Sequence, residues 1–88
     1  MLYRLETTPQ FDKQLLKLGV SVARQITKWL IDNIDKTENP RQHGKRLRYE
    51  LKEYWRYRIG DYRVLVKIEN DKLLVLAVEV GHRSRVYK

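Results

Sequence analysis

Tyr54-Trp55-Arg56-Tyr57-Arg58-Ile59-Gly60-Asp61-Tyr62-Arg63-Val64-Leu65-Val66 is the stretch on which the fold turns. Strong β-formers flank a Gly-Asp pair, the pattern of a two-strand hairpin with a two-residue loop. Such a loop sets Ile59 opposite Tyr62, Arg58 opposite Arg63 and Tyr57 opposite Val64. Side chains alternate across a strand. Trp55, Tyr57, Ile59, Tyr62, Val64 and Val66 therefore share an apolar face, and Arg56, Arg58 and Arg63 share the other. Like charges directly opposite one another destabilise a hairpin, so stability alone does not account for Arg58 facing Arg63. A rigid platform of arginines suits the binding or cleavage of a phosphate ester, because the guanidinium fork matches phosphate oxygens. The alternative for each arginine is a solvated side chain on a water-facing surface.

The hairpin extends in both directions. On its N-terminal side, Leu47–Leu51 reads as a short strand with Leu47, Tyr49 and Leu51 on one face. On its C-terminal side, a turn at Asn70-Asp71 leads into a strand over Lys72–Val80. Pairing across that turn sets Ile68 opposite Leu73, Val66 opposite Val75 and Val64 opposite Ala77. Leu65, Leu74, Leu76 and Val78 then lie on the arginine side. That is more apolar surface than a water-facing side needs, so the C-terminal segment or a partner is expected to cover it.

Residues 1–6 alternate and read as a strand. Thr7-Thr8-Pro9 is a helix-start signal, and Phe11, Leu15 and Leu18 mark one face of a helix over residues 9–18. Gly19 ends it. Ser21 is the next candidate cap, and Val22, Ile26, Trp29, Leu30 and Ile34 recur at helical spacing. Residues 36–46, with Pro40 and Gly44, read as a loop. Val86 and Tyr87 favour a packed strand over a loose tail. The expected fold is α+β: an N-terminal strand, a two-helix antiparallel hairpin, then a four-strand antiparallel meander, in one domain over residues 1–88.

Composition narrows the function. There is no cysteine, so neither a disulfide framework nor a thiolate site is available. The longest apolar run, Leu73–Val78, is too short to span a bilayer. No signal-peptide pattern opens the chain, which points to the cytoplasm. His43 and His82 have no metal-ligand spacing and the glycines are isolated, so no metal, cofactor or nucleotide loop is expected. Nineteen Lys and Arg against eleven Asp and Glu give a net charge of +8. Eight of the basic residues fall between Arg41 and Arg63, against three acidic ones. Such a patch predicts a polyanionic partner, nucleic acid first. A membrane partner is not expected, since the charge does not lie on an amphipathic helix.

The chemistry left open is metal-free cleavage of a phosphodiester. RNA carries its own nucleophile, the 2′-hydroxyl. The protein must take the 2′ proton, supply a donor to the leaving 5′ oxygen and surround the phosphorus with positive charge. Arginine serves the last role and is a poor base. The proton movers then come from His82, Tyr87 or Lys52. Nearby arginines favour a phenolate, which makes Tyr87 the candidate base. Its alternative is a packing aromatic.

Leu47-Arg48, the run Trp55–Val64, and Val80-Gly81-His82-Arg83 with Val86-Tyr87 resemble the RelE/ParE superfamily of bacterial toxins. The order of strand, helix pair and antiparallel sheet is similar to that family over nearly the whole chain. The resemblance implies a toxin of a type II toxin–antitoxin system. It implies a ribosome-dependent endoribonuclease that cuts mRNA in the A site of the 70S ribosome, and an acidic RelB-like antitoxin bound to the toxin in a hetero-oligomer. RelE-type members carry basic residues where this chain has Arg48, Arg56, Arg58, Arg63 and Arg83, and often a tyrosine where it has Tyr87. Joined to the reading of the basic patch and the proton movers, this gives expected catalytic roles at Arg58, Arg63, Arg83, Tyr87 and His82, and expected RNA-binding roles at Arg48, Lys52, Arg56, Lys45 and Arg46. Some members have lysine at the positions of Arg56 and Arg58. Arginine there fits charge stabilisation, leaving Arg83 or His82 as acid and Tyr87 as base. ParE-type members share the fold, poison DNA gyrase and typically lack the full basic-plus-tyrosine set. A gyrase inhibitor and a non-catalytic RNA-binding module are the alternatives.

Overall fold

The computed structural model describes residues 1–83, and its hairpin has the register expected from the Gly-Asp loop. We number the strands and helices in chain order: β1 (Arg4–Thr7), α1 (Pro9–Lys17), α2 (Val20–Asn33), β2 (Gly44–Arg46), β3 (Tyr54–Ile59), β4 (Tyr62–Glu69) and β5 (Leu74–His82). Ile59 pairs with Tyr62, Arg58 with Arg63 and Tyr57 with Val64. Gly60 has φ of +59° and Asp61 is not left-handed, the pattern of a type II′ turn. The sheet order is β1-β5-β4-β3-β2. β1 runs parallel to β5, and β2 to β5 form an antiparallel meander.

The helices close one face of this sheet. The Thr8 hydroxyl accepts from the Phe11 N–H at 3.1 Å, and Pro9 opens α1 where a missing N–H costs nothing. Gly19, at φ +91°, separates the two helices and is itself the N-cap of α2, so Ser21 falls inside the first turn and is not the cap. Ile26, Leu30 and Ile34 are buried on the inner side of this segment, while Val22 and Trp29 are half-buried. They and Phe11 pack against Tyr57, Ile59, Val64, Val66, Val75, Ala77 and Val80. Each fully buried Val, Leu, Ile or Phe among them contributes about 1.5–3 kcal/mol of burial. The apolar side of the hairpin is pinned inward by this core, which turns Arg56, Arg58 and Arg63 outward.

Two expectations are corrected. First, Leu47–Leu51 is not a strand. The edge strand lies three residues earlier, at Gly44–Arg46, and Tyr49–Leu51 is a single 3-10 turn. The cause is contact distant in sequence. Gly44 pairs with Tyr57, and a Cβ there would stand 2.9 Å from the Arg56 carbonyl oxygen and from two Tyr57 ring carbons. Only glycine lets the two strands approach with that ring lying over the edge. Gly44→Ala is therefore expected to destabilise by about 1–3 kcal/mol, read as a lower midpoint in chemical unfolding; an unchanged midpoint would refute the close-approach argument.

Second, the β4–β5 connection is longer than two residues. Asn70–Lys72 makes a 3-10 turn and Leu73 takes a left-handed conformation, φ +50°. Ile68 consequently pairs with Val75 and Val66 with Ala77, a shift of two that preserves which face each residue occupies. A β-bulge then interrupts the ladder: Leu65 pairs with Glu79 and Val64 with Val80, leaving Val78 without a partner. Beyond the bulge the alternation is inverted. Val80 turns into the core, 3% exposed, and Glu79 and Gly81 move to the arginine side.

Helix α1 supports this strand segment after β1 has ended. The Gln14 Oε1 accepts from the Val80 N–H at 2.8 Å, and the Thr8 hydroxyl meets the Val78 carbonyl at 3.4 Å. Gln14→Leu removes the acceptor and leaves a half-buried N–H unsatisfied, at a cost of about 1–3 kcal/mol. Faster hydrogen exchange at the Val80 amide is the expected signature, with Gln14→Glu retaining protection.

Leu65 and Leu74, on the arginine side, are 5% and 6% exposed. Three of the exposed large apolar side chains, Leu16, Val20 and Ile31, line a groove of about 600 Å³ along the helix pair. The strand expected around Val86 and Tyr87 lies outside the described residues. Among the described residues, no helix is long and apolar enough to cross a membrane.

Candidate functional site

The sheet face turned away from the helices gathers the basic residues. β3 presents Arg56 and Arg58, and β4 presents Arg63 directly across from Arg58. β2 adds Lys45, paired with Arg56. Arg58 is exposed and Arg63 half-buried. The Arg63 Nη1 is buried and has no hydrogen-bond partner among the described residues. Among the described residues, no carboxylate forms an ion pair with Arg58, Arg63 or Arg83. Two guanidiniums facing each other without a counter-ion favour an anion between or beside them.

The end of β5 completes this corner. Gly81 pairs with Arg63, so the β5 position directly opposite that arginine carries no side chain. The Arg83 N–H donates to the Asp61 carbonyl at 2.8 Å, continuing the pairing to the hairpin turn. By register, position 83 falls on the side of Arg58 and Arg63. His82 does not. It pairs with Tyr62, and the two rings meet edge to face at 5.7 Å on the opposite side of the strand. Tyr87 lies outside the described residues.

The remaining basic candidates form a second group. Arg46 pairs with Trp55 and points to the other side from Lys45. Its Nε donates to the Lys52 carbonyl at 3.1 Å, closing the loop between β2 and β3. Arg48 and Lys52 are exposed on this loop. Lys45, Arg46, Arg48 and Arg56, with Leu47, Tyr49 and Leu51, line a groove of about 350 Å³. The two groups meet at Arg56, which borders this groove and sits two residues from Arg58.

One residue on the arginine face escaped the sequence reading. Glu79 is half-buried and pairs with Leu65, whose other neighbour is Arg56. Plain alternation from Val75 and Ala77 assigns Glu79 to the core side. Only the bulge moves it, and no local sequence signal marks the bulge.

The structure defines a class: a small basic α+β domain with a helix pair on one side of its sheet and a cluster of arginines on the other. The comparisons with known proteins are specific. A family model described as the ParE toxin of type II toxin–antitoxin system, parDE, matches residues 5–87. The chain is 30% identical over 90 residues to the mRNA interferase toxin RelE of Escherichia coli, covering 97% of this chain and 87% of that protein. Its fold matches a chain in the toxin–antitoxin complex RelBE2 of Mycobacterium tuberculosis with a TM-score of 0.85, at 26% identity, covering 96% of this chain and 94% of the other. A mutant E. coli toxin RelE in the free state matches with a TM-score of 0.76, at 25% identity, covering 98% and 88%. The chain belongs to the RelE/ParE superfamily and is a toxin of a type II toxin–antitoxin system.

Proposed function

We propose that this toxin is an endoribonuclease that cuts mRNA in the ribosomal A site by attack of the RNA 2′-hydroxyl on the adjacent phosphorus. The observation that carries the reading is the Arg58–Arg63 pair, uncompensated among the described residues, with the Arg63 Nη1 buried and unsatisfied. These two guanidiniums stabilise the charge that grows on the non-bridging oxygens in the transition state. Arg83, on the same side by register, donates to the leaving 5′ oxygen in preference to His82, which faces away. Tyr87 takes the 2′ proton. Lys45, Arg46, Arg48, Lys52 and Arg56 hold the RNA backbone by charge. The 30% identity to a relative named as an mRNA interferase supports the same chemistry.

An acidic antitoxin holds the toxin inactive by covering the arginine face. The +8 charge supplies the attraction, and solved neighbours of this fold are toxin–antitoxin complexes. The deciding experiment is primer extension on an mRNA in a purified translation system. Breaks inside the A-site codon that require ribosomes are expected. Intact mRNA with normal translation would reject the nuclease reading. The ParE description of the matching family favours one second reading, inhibition of DNA gyrase; a supercoiling assay with purified gyrase tests it directly.

A further inference from the structure

Tyr49 is the residue whose surroundings depart furthest from its sequence pattern. As a strand residue it would share a face with Leu47 and Leu51. Both leucines are half-buried, yet Tyr49 is 87% exposed. It also has φ of +59°, a left-handed conformation that a bulky side chain rarely adopts. The turn that imposes this is closed by the Leu51 N–H to the Arg48 carbonyl and the Lys52 N–H to the Tyr49 carbonyl, both at 3.2 Å. The ring is thus raised off the surface, at a conformational cost, in the groove lined by Lys45, Arg46, Arg48 and Arg56. A lone exposed aromatic needs no explanation. An exposed aromatic in a strained backbone, surrounded by cations, has the two elements of a single-strand nucleic-acid site: charge for the phosphates and a π-face for a base.

We propose that Tyr49 is a nucleobase-stacking residue, and that the groove around it holds one nucleotide of single-stranded RNA by its flanking phosphates. The proposal rests on the RNA-cleaving reading above and adds a binding subsite on the loop between β2 and β3. The base comes from the mRNA beside the cleaved bond or from ribosomal RNA, and the test separates these sources.

The test compares wild type with Tyr49→Ala, Tyr49→Leu, Tyr49→Trp and Tyr49→Gly. One arm measures binding to an RNA oligonucleotide carrying 2-aminopurine, whose fluorescence falls on stacking. The other measures binding to ribosomes programmed with mRNA. Tyr49→Ala and Tyr49→Leu are expected to weaken binding by about tenfold or more, and Tyr49→Trp to restore it. Loss in both arms identifies an mRNA base. Loss in the ribosome arm alone, with a ribosomal RNA base newly reactive to chemical probing, identifies ribosomal RNA. Tyr49→Gly should bind as poorly as Tyr49→Ala without lowering the melting temperature, because glycine accepts positive φ. Wild-type binding by Tyr49→Ala, or full binding by Tyr49→Leu, would overturn stacking and point to an apolar protein contact or to none. If wild type cuts no mRNA, the nuclease reading falls on its own, and the fluorescence arm still judges the subsite.

Discussion

On the proposed nuclease function, Arg58→Ala and Arg63→Ala are each expected to lower the rate of A-site cleavage by about 10²–10³-fold, the usual cost of removing one charge-stabilising donor. Their effect on stability has the opposite sign. The two arginines are cross-strand partners, and like charges so placed destabilise a hairpin by roughly 0.2–1 kcal/mol. Removing Arg58, which is exposed, relieves that repulsion and leaves no buried group behind. Arg58→Ala should therefore melt at or slightly above the wild-type temperature while cutting poorly. Arg58→Lys keeps the charge and loses the fork, so its rate falls between the two. Primer extension and thermal melting on the same preparations check both signs. A variant that cuts at the wild-type rate would remove these residues from the site, whatever its stability.

Tyr57→Ala costs about 3–5 kcal/mol, a large part of what a small domain has to lose. Tyr57 is completely buried on β3 between the two outward arginines. Its ring lies 5.5 Å from that of Trp29 and covers Gly44, while its hydroxyl donates to the Pro40 carbonyl at 2.6 Å. One side chain thus joins helix α2, the edge strand and the loop before it. Tyr57→Phe keeps the packing and leaves the Pro40 carbonyl unsatisfied, at about 1–3 kcal/mol.

The same site sets an alkaline limit. Burial pushes the Tyr57 hydroxyl well above the usual tyrosine range, against a smaller opposing effect of Arg41. The folded protein therefore keeps this proton where the unfolded chain releases it. The contribution is fully present below the ordinary tyrosine value of about 10 and is lost as pH rises above it. Chemical unfolding between pH 9 and about 11 should show stability falling in wild type and falling less steeply in Tyr57→Phe. Equal slopes would mean that other groups govern the alkaline transition.

Most of the hairpin was legible because its information is local. Alternation at period two names the faces of β3 and β4, and a two-residue loop leaves a single register, so Arg58 opposite Arg63 follows from the residues between Tyr54 and Val66. The helix stripes were legible for the same reason: Phe11, Ile26, Leu30 and Ile34 recur at the helical period and are buried. The N-cap at Gly19 was missed because Ser21 offers a better side chain, whereas the chain used the backbone freedom of a glycine at φ +91°.

The candidate site was only half legible. Sequence alone determined an α+β fold and an arginine cluster on one side of a hairpin, and it raised the expectation of a polyanionic partner, because charge count and strand period need no knowledge of distant residues. Tertiary structure decided where the edge strand pairs, since Gly44 must lie beneath the Tyr57 ring. It also decided the phase of β5 after its bulge, which carries position 83 to the arginines, Glu79 beside them and His82 away. That segment of β5 is held by Gln14, 66 residues from Val80 in the chain. A bulge inverts every later side chain, and what holds it in place is a contact between distant segments, which no local pattern of residues can announce.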